Sequence, residues 1–185
     1  LFPSGSGNSA MSYLVEMAAE SGDIALALKV AQWIEPPHGR AIAHCQVATA
    51  QAKAGDKSEA LATIQQAERL ARGLPNEKKP GVLVALALAK VAAGDKRQAV
   101  AVGEQAVESI RAEKNDIWYG NYYNRIARMM VRAGEIQKAK AITQSGKGMW
   151  DKAVGGRQRK EIAVIMAEEG ELEEALEWIS QFPVS

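Results

Sequence analysis

A short signature of a small residue, a glycine and an acid returns along the chain, and it constrains the fold more than any other feature. It reads Ser21-Gly22-Asp23, Ala54-Gly55-Asp56, Ala93-Gly94-Asp95 and Ala133-Gly134-Glu135, with a weaker copy at Glu169-Gly170-Glu171. The glycines stand 33, 39, 40 and 36 residues apart. Periods of this length belong to arrays in which one supersecondary unit is copied and stacked. Counted from each glycine, the fifth residue after it is always alanine: Ala27, Ala60, Ala99, Ala139 and Ala175. The eighth before it is branched and apolar (Leu14, Val47, Leu86, Ile126, Ile162), and its neighbour is small or short (Val15, Ala48, Ala87, Ala127, Ala163). With the third before it (Ala19, Ala52, Val91, Val131, Ala167), these positions mark one face of a helix that runs into the glycine.

Each part of the signature has a local cause. Glycine takes the left-handed C-cap conformation without a side-chain clash, so it ends the first helix. The acid that follows can accept from the first turn of a second helix, and Asp56-Lys57-Ser58-Glu59 and Asp95-Lys96-Arg97-Gln98 fit a capping box. So short a connection makes the two helices antiparallel neighbours, and the alanine one turn into the second helix falls where the backbones come closest. Pro36-Pro37, Asn76, Asn115-Asp116 and Asp151 each precede the next glycine by about eighteen residues and can start its first helix. The predicted pairs are 9–21 with 23–35, 37–54 with 56–72, 76–93 with 95–113, 116–133 with 135–146, and 151–169 with 171–182. Composition agrees: the 185 residues include 33 alanines and only ten aromatics, which favours close-packed helices over a β-rich sheet. The expected fold is all-α, with residues 1–8 a disordered leader or remnant and 9–185 a single helical repeat domain.

Several function classes lose support at this stage. The net charge is +1, so no global charge favours nucleic acid or an anionic membrane. One cysteine, Cys45, forms no internal disulfide, and His38 and His44 are too few for a closed zinc site without carboxylates. No metal and no cofactor is expected. The longest apolar runs, such as Gly81 to Ala89, are too short for a membrane crossing, and the first residues lack the pattern of a signal peptide. The expectation is a soluble chain of undetermined compartment.

The spacing of large apolar residue, small neighbour, turn glycine and alanine resembles the tetratricopeptide repeat (TPR), a helix-turn-helix unit of about 34 residues. The resemblance covers most of the chain from about Ser12. Units of 39 and 40 are long, the early tryptophan is absent, and no proline closes the units. Where the repeat carries an aromatic four residues before the glycine, this chain has Ala18, Gln51, Lys90, Met130 and Met166. The resemblance implies a right-handed α-solenoid of about five antiparallel helical hairpins, a TPR-like superhelix whose first helices line a concave groove for partner peptides or proteins.

In that frame the groove positions lie ten, six, three and two residues before the glycine. The second and third units then offer Cys45, Thr49, Ala52 and Lys53, and Val84, Leu88, Val91 and Ala92, a largely apolar wall. The fourth offers Asn121, Asn124, Arg128, Val131 and Arg132, and the fifth Arg157, Lys160, Val164, Ala167 and Glu168. Amides and guanidinium groups present several donors in fixed geometry, which suits a carboxylate or an extended backbone. The candidate peptide-binding residues are Val84, Leu88, Asn121, Asn124, Arg128, Arg132, Arg157 and Lys160, and the expected ligand is an acidic or C-terminal segment.

Trp118, Tyr119, Tyr122 and Tyr123 place four aromatics within six positions and form a candidate interaction anchor. Trp33, Trp150 and Trp178 fall near ends of second helices, where packing between repeats is expected. A basic stretch from Lys138 to Lys160 precedes an acidic one from Glu161 to Glu177; the blocks can pair across helices, and the acidic one is read as a polar cap. His44-Cys45 points its two side chains about 100° apart on a helix and so makes no nucleophile and base pair. Ser145-Gly146-Lys147-Gly148 and Gly155-Gly156-Arg157 lack phosphate-loop spacing. RNA reading by repeats of this kind needs matched polar residues in successive units, and here those positions alternate in character. The resulting expectation is a non-catalytic scaffold that binds a protein or peptide and can self-associate through its ends, with no nucleic acid partner and no membrane insertion. The alternative is a helical regulatory or substrate-docking segment of a larger multidomain enzyme.

Overall fold

A computed structural model describes residues 6–112, 120–145 and 155–181. All regular structure among them is helical: α1 Ser6–Glu20, α2 Ile24–Gln32, α3 Pro37–Lys53, α4 Lys57–Arg72, α5 Lys79–Ala92, α6 Lys96–Ala112, α7 Gly120–Ala133, α8 Ile136–Ser145, α9 Gly155–Glu168 and α10 Leu172–Ser180. A single 3-10 turn, Asn76–Lys78, leads into α5. Helices α1 and α2, α3 and α4, α7 and α8, and α9 and α10 pair as the signature predicts. The first helix begins at Ser6, inside the segment expected to be a leader.

The five turns share one geometry. Gly22, Gly55, Gly94, Gly134 and Gly170 have φ of +84°, +96°, +88°, +87° and +91°, the left-handed region that side chains disfavour. The N–H of the acid after each glycine donates to the carbonyl five residues before that glycine's successor, at 2.8 to 2.9 Å: Asp23 to Ala18, Asp56 to Gln51, Asp95 to Lys90, Glu135 to Met130 and Glu171 to Met166. The glycine N–H donates three residues back in each case. This is a Schellman closure repeated five times, and it consumes carbonyls that the end of the first helix would otherwise leave unpaired. The acid's own carbonyl then accepts from the N–H of the alanine five residues after the glycine, opening the second helix.

Capping by the acid side chain is less uniform than the sequence predicts. Asp23 Oδ1 accepts from Leu26 N at 3.0 Å and Asp95 Oδ1 from Gln98 N at 3.2 Å. Asp56 makes no such bond, so the capping box expected at 56–59 does not form. The backbone closure is the same at all five turns, and the carboxylate adds to it where it can.

Packing divides the expected repeat domain into two compact units, 1–109 and 110–185. In the first, Val15, Ala18, Ala27, Val30, Ala31 and Ile34 of the α1/α2 hairpin pack against Ala43 and Val47 of α3. Cys45, Ala48, Ala52, Ala60, Ile64 and Ala67 of the α3/α4 hairpin then pack against Val82, Ala85, Leu86 and Ala89 of α5. In the second unit α7 packs on α8 and α9, and α9 on α10, with Ile126, Met129, Met130, Ile162, Met166 and Trp178 buried. The alanines five residues after the glycines are buried in all five copies, as the close approach of paired backbones requires.

Candidate functional site

The site expected from the sequence falls on both units. In the first unit Val84 is fully buried among the packed helices, while Leu88, one turn on, is half-buried. Cys45 is also buried, in the core between α3/α4 and α5. The apolar wall at this end is therefore built mostly of residues that hold the hairpins to one another, with Thr49, Leu88 and Val91 left partly accessible.

In the second unit the polar candidates lie on α7. Asn121, Asn124, Arg128 and Arg132 recur at intervals of three or four, so they share one stripe of the helix. Asn121 and Arg132 are exposed and Arg128 is half-buried. Asn124 is buried, and its Oδ1 has no hydrogen-bond partner among the described residues. An unsatisfied amide oxygen in a packed interior is costly, and it stands directly beneath the accessible row. Arg128 Nη1 lies 3.5 Å from Glu161 Oε2 of α9, with both side chains about a third exposed. Such a pair contributes little to stability and leaves the guanidinium free to exchange partners. Lys160 is exposed beside it on α9. Arg157 sits in the first turn of α9, and its side chain lies outside the described residues.

Two of the four aromatic candidates, Trp118 and Tyr119, also lie outside the described residues. Tyr123 is buried in the core of the second unit, and Tyr122, one position round the helix, is half-buried. Trp178 is buried at the end of α10, as expected of a tryptophan between repeats. Trp33 is not: it is more than half exposed at the end of α2, with Lys29 Nζ 5.9 Å from its ring centroid. It projects from the hairpin instead of packing between repeats. Trp150 lies outside the described residues.

The charge blocks pair in part. Lys140 of α8 donates to Glu174 and, at 3.3 Å, to Glu177 of α10, which pins the last helix to the hairpin before it. The hydrogen bond that Lys140 donates to Glu174 raises the lysine's pKa above its ordinary value. The acidic helix is not the purely polar cap expected, because Leu172, Leu176 and Ile179 are exposed on it.

Three polar groups escaped the sequence reading. Gln51 and Lys90 occupy the position four before the glycine, where Met130 and Met166 fill cores, and both are buried. Lys90 Nζ meets Glu68 Oε1 of α4 at 2.7 Å, whereas Gln51 Oε1 has no partner among the described residues. His44 is buried on α3 with Nδ1 unpartnered among the described residues; burial first, and the nearby Arg40 charge second, lower its pKa. The repeat register did carry the signal for Gln51 and Lys90, since it assigns them to a core position. Among the described residues no group of three or more histidine, cysteine or carboxylate side chains could hold a metal ion, and no helix is long and apolar enough to cross a membrane.

No family model matches the chain, and no curated protein matches it significantly. Solved structures do. A protein of Podosopora anserina, described as a kinesin light chain with nearly identical TPR-like repeats, aligns with a TM-score of 0.62 at 20% identity, covering 94% of this chain and 92% of that one. Its Q17M variant gives the same TM-score and identity, over 94% and 91%. MamA MSR-1 C2 aligns at 17% identity with a TM-score of 0.49, over 94% and 93%. Five glycine-capped turns between helices and the likeness to the Podosopora anserina structures together establish that the chain has the all-α, TPR-like helical-repeat fold.

Proposed function

We propose that the chain is a non-catalytic scaffold that binds an acidic or C-terminal peptide segment along α7 and α9. The observation that carries this reading is the stripe of Asn121, Arg128 and Arg132 on one face of α7, with the exposed Lys160 preceding, on α9, the Glu161 that Arg128 meets. Fixed guanidinium and amide donors on rigid helices recognise carboxylates and peptide backbone without ordering a loop first. Arg128 already holds a carboxylate, that of Glu161, at the accessible edge of this row. A ligand carboxylate replaces Glu161 there at small cost, because the pair it displaces is solvated.

The test is fluorescence polarisation with a labelled acidic peptide bearing a free C-terminal carboxylate, beside its amidated counterpart and a neutral peptide. Preference for the free acid, and loss of at least about tenfold in affinity in Arg128→Ala/Arg132→Ala, as expected for removal of charge-assisted hydrogen bonds, supports the reading. Glu161→Gln is expected to strengthen binding. Equal binding of all three peptides, or no effect of the double substitution, contradicts it.

A further inference from the structure

The repeat register makes it possible to ask of every exposed apolar residue what covers its counterpart in the other units. The junction between successive hairpins is defined twice. Between α3/α4 and α5, the forward face consists of Cys45, Ala52 and Ile64, at positions ten and three before and nine after the glycine. The backward face that meets it consists of Val82, Ala85, Leu86 and Ala89, at twelve, nine, eight and five before the glycine. Between α7 and α9 the same register holds: Arg128, six before its glycine, meets Glu161, nine before the next.

The backward face of the α1/α2 hairpin is bare. Tyr13, Leu14 and Met17 stand at nine, eight and five before Gly22 and are 61%, 54% and 47% exposed. Their counterparts at the eighth position, Val47, Leu86, Ile126 and Ile162, are at most 3% exposed. The forward face of the α9/α10 hairpin is bare as well. Val164, six before Gly170, and Ile179, nine after it, are 55% and 45% exposed, and Ala167 is exposed between them. Ile64, the counterpart of Ile179, is buried. One chain therefore carries both halves of the junction that recurs inside it, each exposed and mainly apolar, with the exposed Lys160 at the forward position that Cys45 holds in the second hairpin.

We infer that a second copy of this chain covers these faces, its α1/α2 hairpin seated on the α9/α10 hairpin of the first as a further hairpin would be. In the register of the Arg128 to Glu161 contact, Val164 of one copy meets Tyr13 of the next, with Leu14 and Met17 against Ala167 and Ile179. Two copies of one chain are favoured over an unrelated partner because Tyr13, Leu14 and Met17 hold the register of the backward face while Val164, Ala167 and Ile179 hold that of the forward face. The contact is heterologous, so each copy keeps one half free after pairing and association continues beyond the dimer. This inference shares α9 with the peptide-binding reading, which uses Lys160 there, but the two are read separately: peptide binding follows Arg128 and Arg132, and self-association follows Leu14 and Val164.

Sedimentation velocity of the 185-residue chain over a hundredfold range of concentration tests it, with two variants that place a charge on one face each, Leu14→Glu and Val164→Glu. The wild type is expected to grow from monomer to dimer and larger species with concentration. Each variant alone is expected to remain monomeric at the same concentrations. Mixed in equal amounts, the variants are expected to form a dimer and nothing larger, because each supplies the face that the other lacks; that dimer also shows that both variants are folded. A wild type that stays monomeric throughout overturns the inference. So does association that only one of the two substitutions affects, or a mixture that does not dimerise.

Discussion

At the scale of single residues, the turn glycines separate conformational cost from steric cost. A Cβ on Gly94 would meet only the far end of Lys57, at 4.0 Å, yet φ there is +88°. Gly94→Ala is therefore predicted to destabilise the chain by about 1 to 2 kcal/mol, the cost of a left-handed side-chain residue. Gly73, at φ −86° and with open space around it, is the control: Gly73→Ala is predicted to be neutral or stabilising by about 0.4 to 1 kcal/mol in the same urea titration. Equal effects of the two substitutions would remove backbone conformation as the cause. His44 gives a pH dependence. Its pKa is lowered in the folded chain, so its contribution to stability is complete above the ordinary value of 6.5 and is lost as pH falls below that, toward the folded value. His44→Gln is predicted to flatten the fall in the urea midpoint between neutral and mildly acidic pH; an unchanged slope contradicts it. The glycines were legible in the sequence because their requirement is local. The bare side chain of Asp56 was not, since Asp56 and Asp95 share the acid, the following lysine and the backbone closure, yet only Asp95 caps its helix.

At the scale of elements, helix pairing was legible almost to the residue, and burial of polar side chains was not. The predicted pair 37–54 with 56–72 corresponds to α3 Pro37–Lys53 and α4 Lys57–Arg72. Lys90 lies on α5 at a position that the register assigns to the core, and only the structure shows that Glu68 of α4 meets it there. Burying an ammonium is tolerable with that partner and costly without it. Glu68→Ala is predicted to destabilise by about 1 to 3 kcal/mol, because it strands the buried charge. Lys90→Met removes charge and desolvation together and matches the methionines that fill the equivalent position in α7 and α9; it is predicted to be neutral or stabilising. Chemical denaturation of the two variants checks the order, and a greater loss in Lys90→Met than in Glu68→Ala reverses the account. Of the candidate site, the polar stripe on α7 was legible from its spacing. The burial of Val84 and Asn124 was not, because it depends on how deeply a neighbouring hairpin seats, which no single helix encodes.

At the scale of the molecule, the chain is one local device used five times. A single hairpin cannot cover its own apolar face, so within each unit stacking buries the faces between hairpins and leaves bare those without a neighbouring hairpin. That is why Leu14 is exposed although the same position is core in every later unit: the sequence specifies the residue, and the neighbour decides its burial. It also explains the composition. Thirty-three alanines and few rings suit backbones held close at every turn and between the hairpins within each unit. The central claim, that all five turns close in the same way, is tested most directly by amide hydrogen exchange followed by NMR. The amides of Asp23, Asp56, Asp95, Glu135 and Glu171 each donate back into the preceding helix. The account predicts slowed exchange at all five, in step with the helices they close; exchange at the rate of an unstructured peptide at Asp56, Asp95 or Glu135 would contradict it.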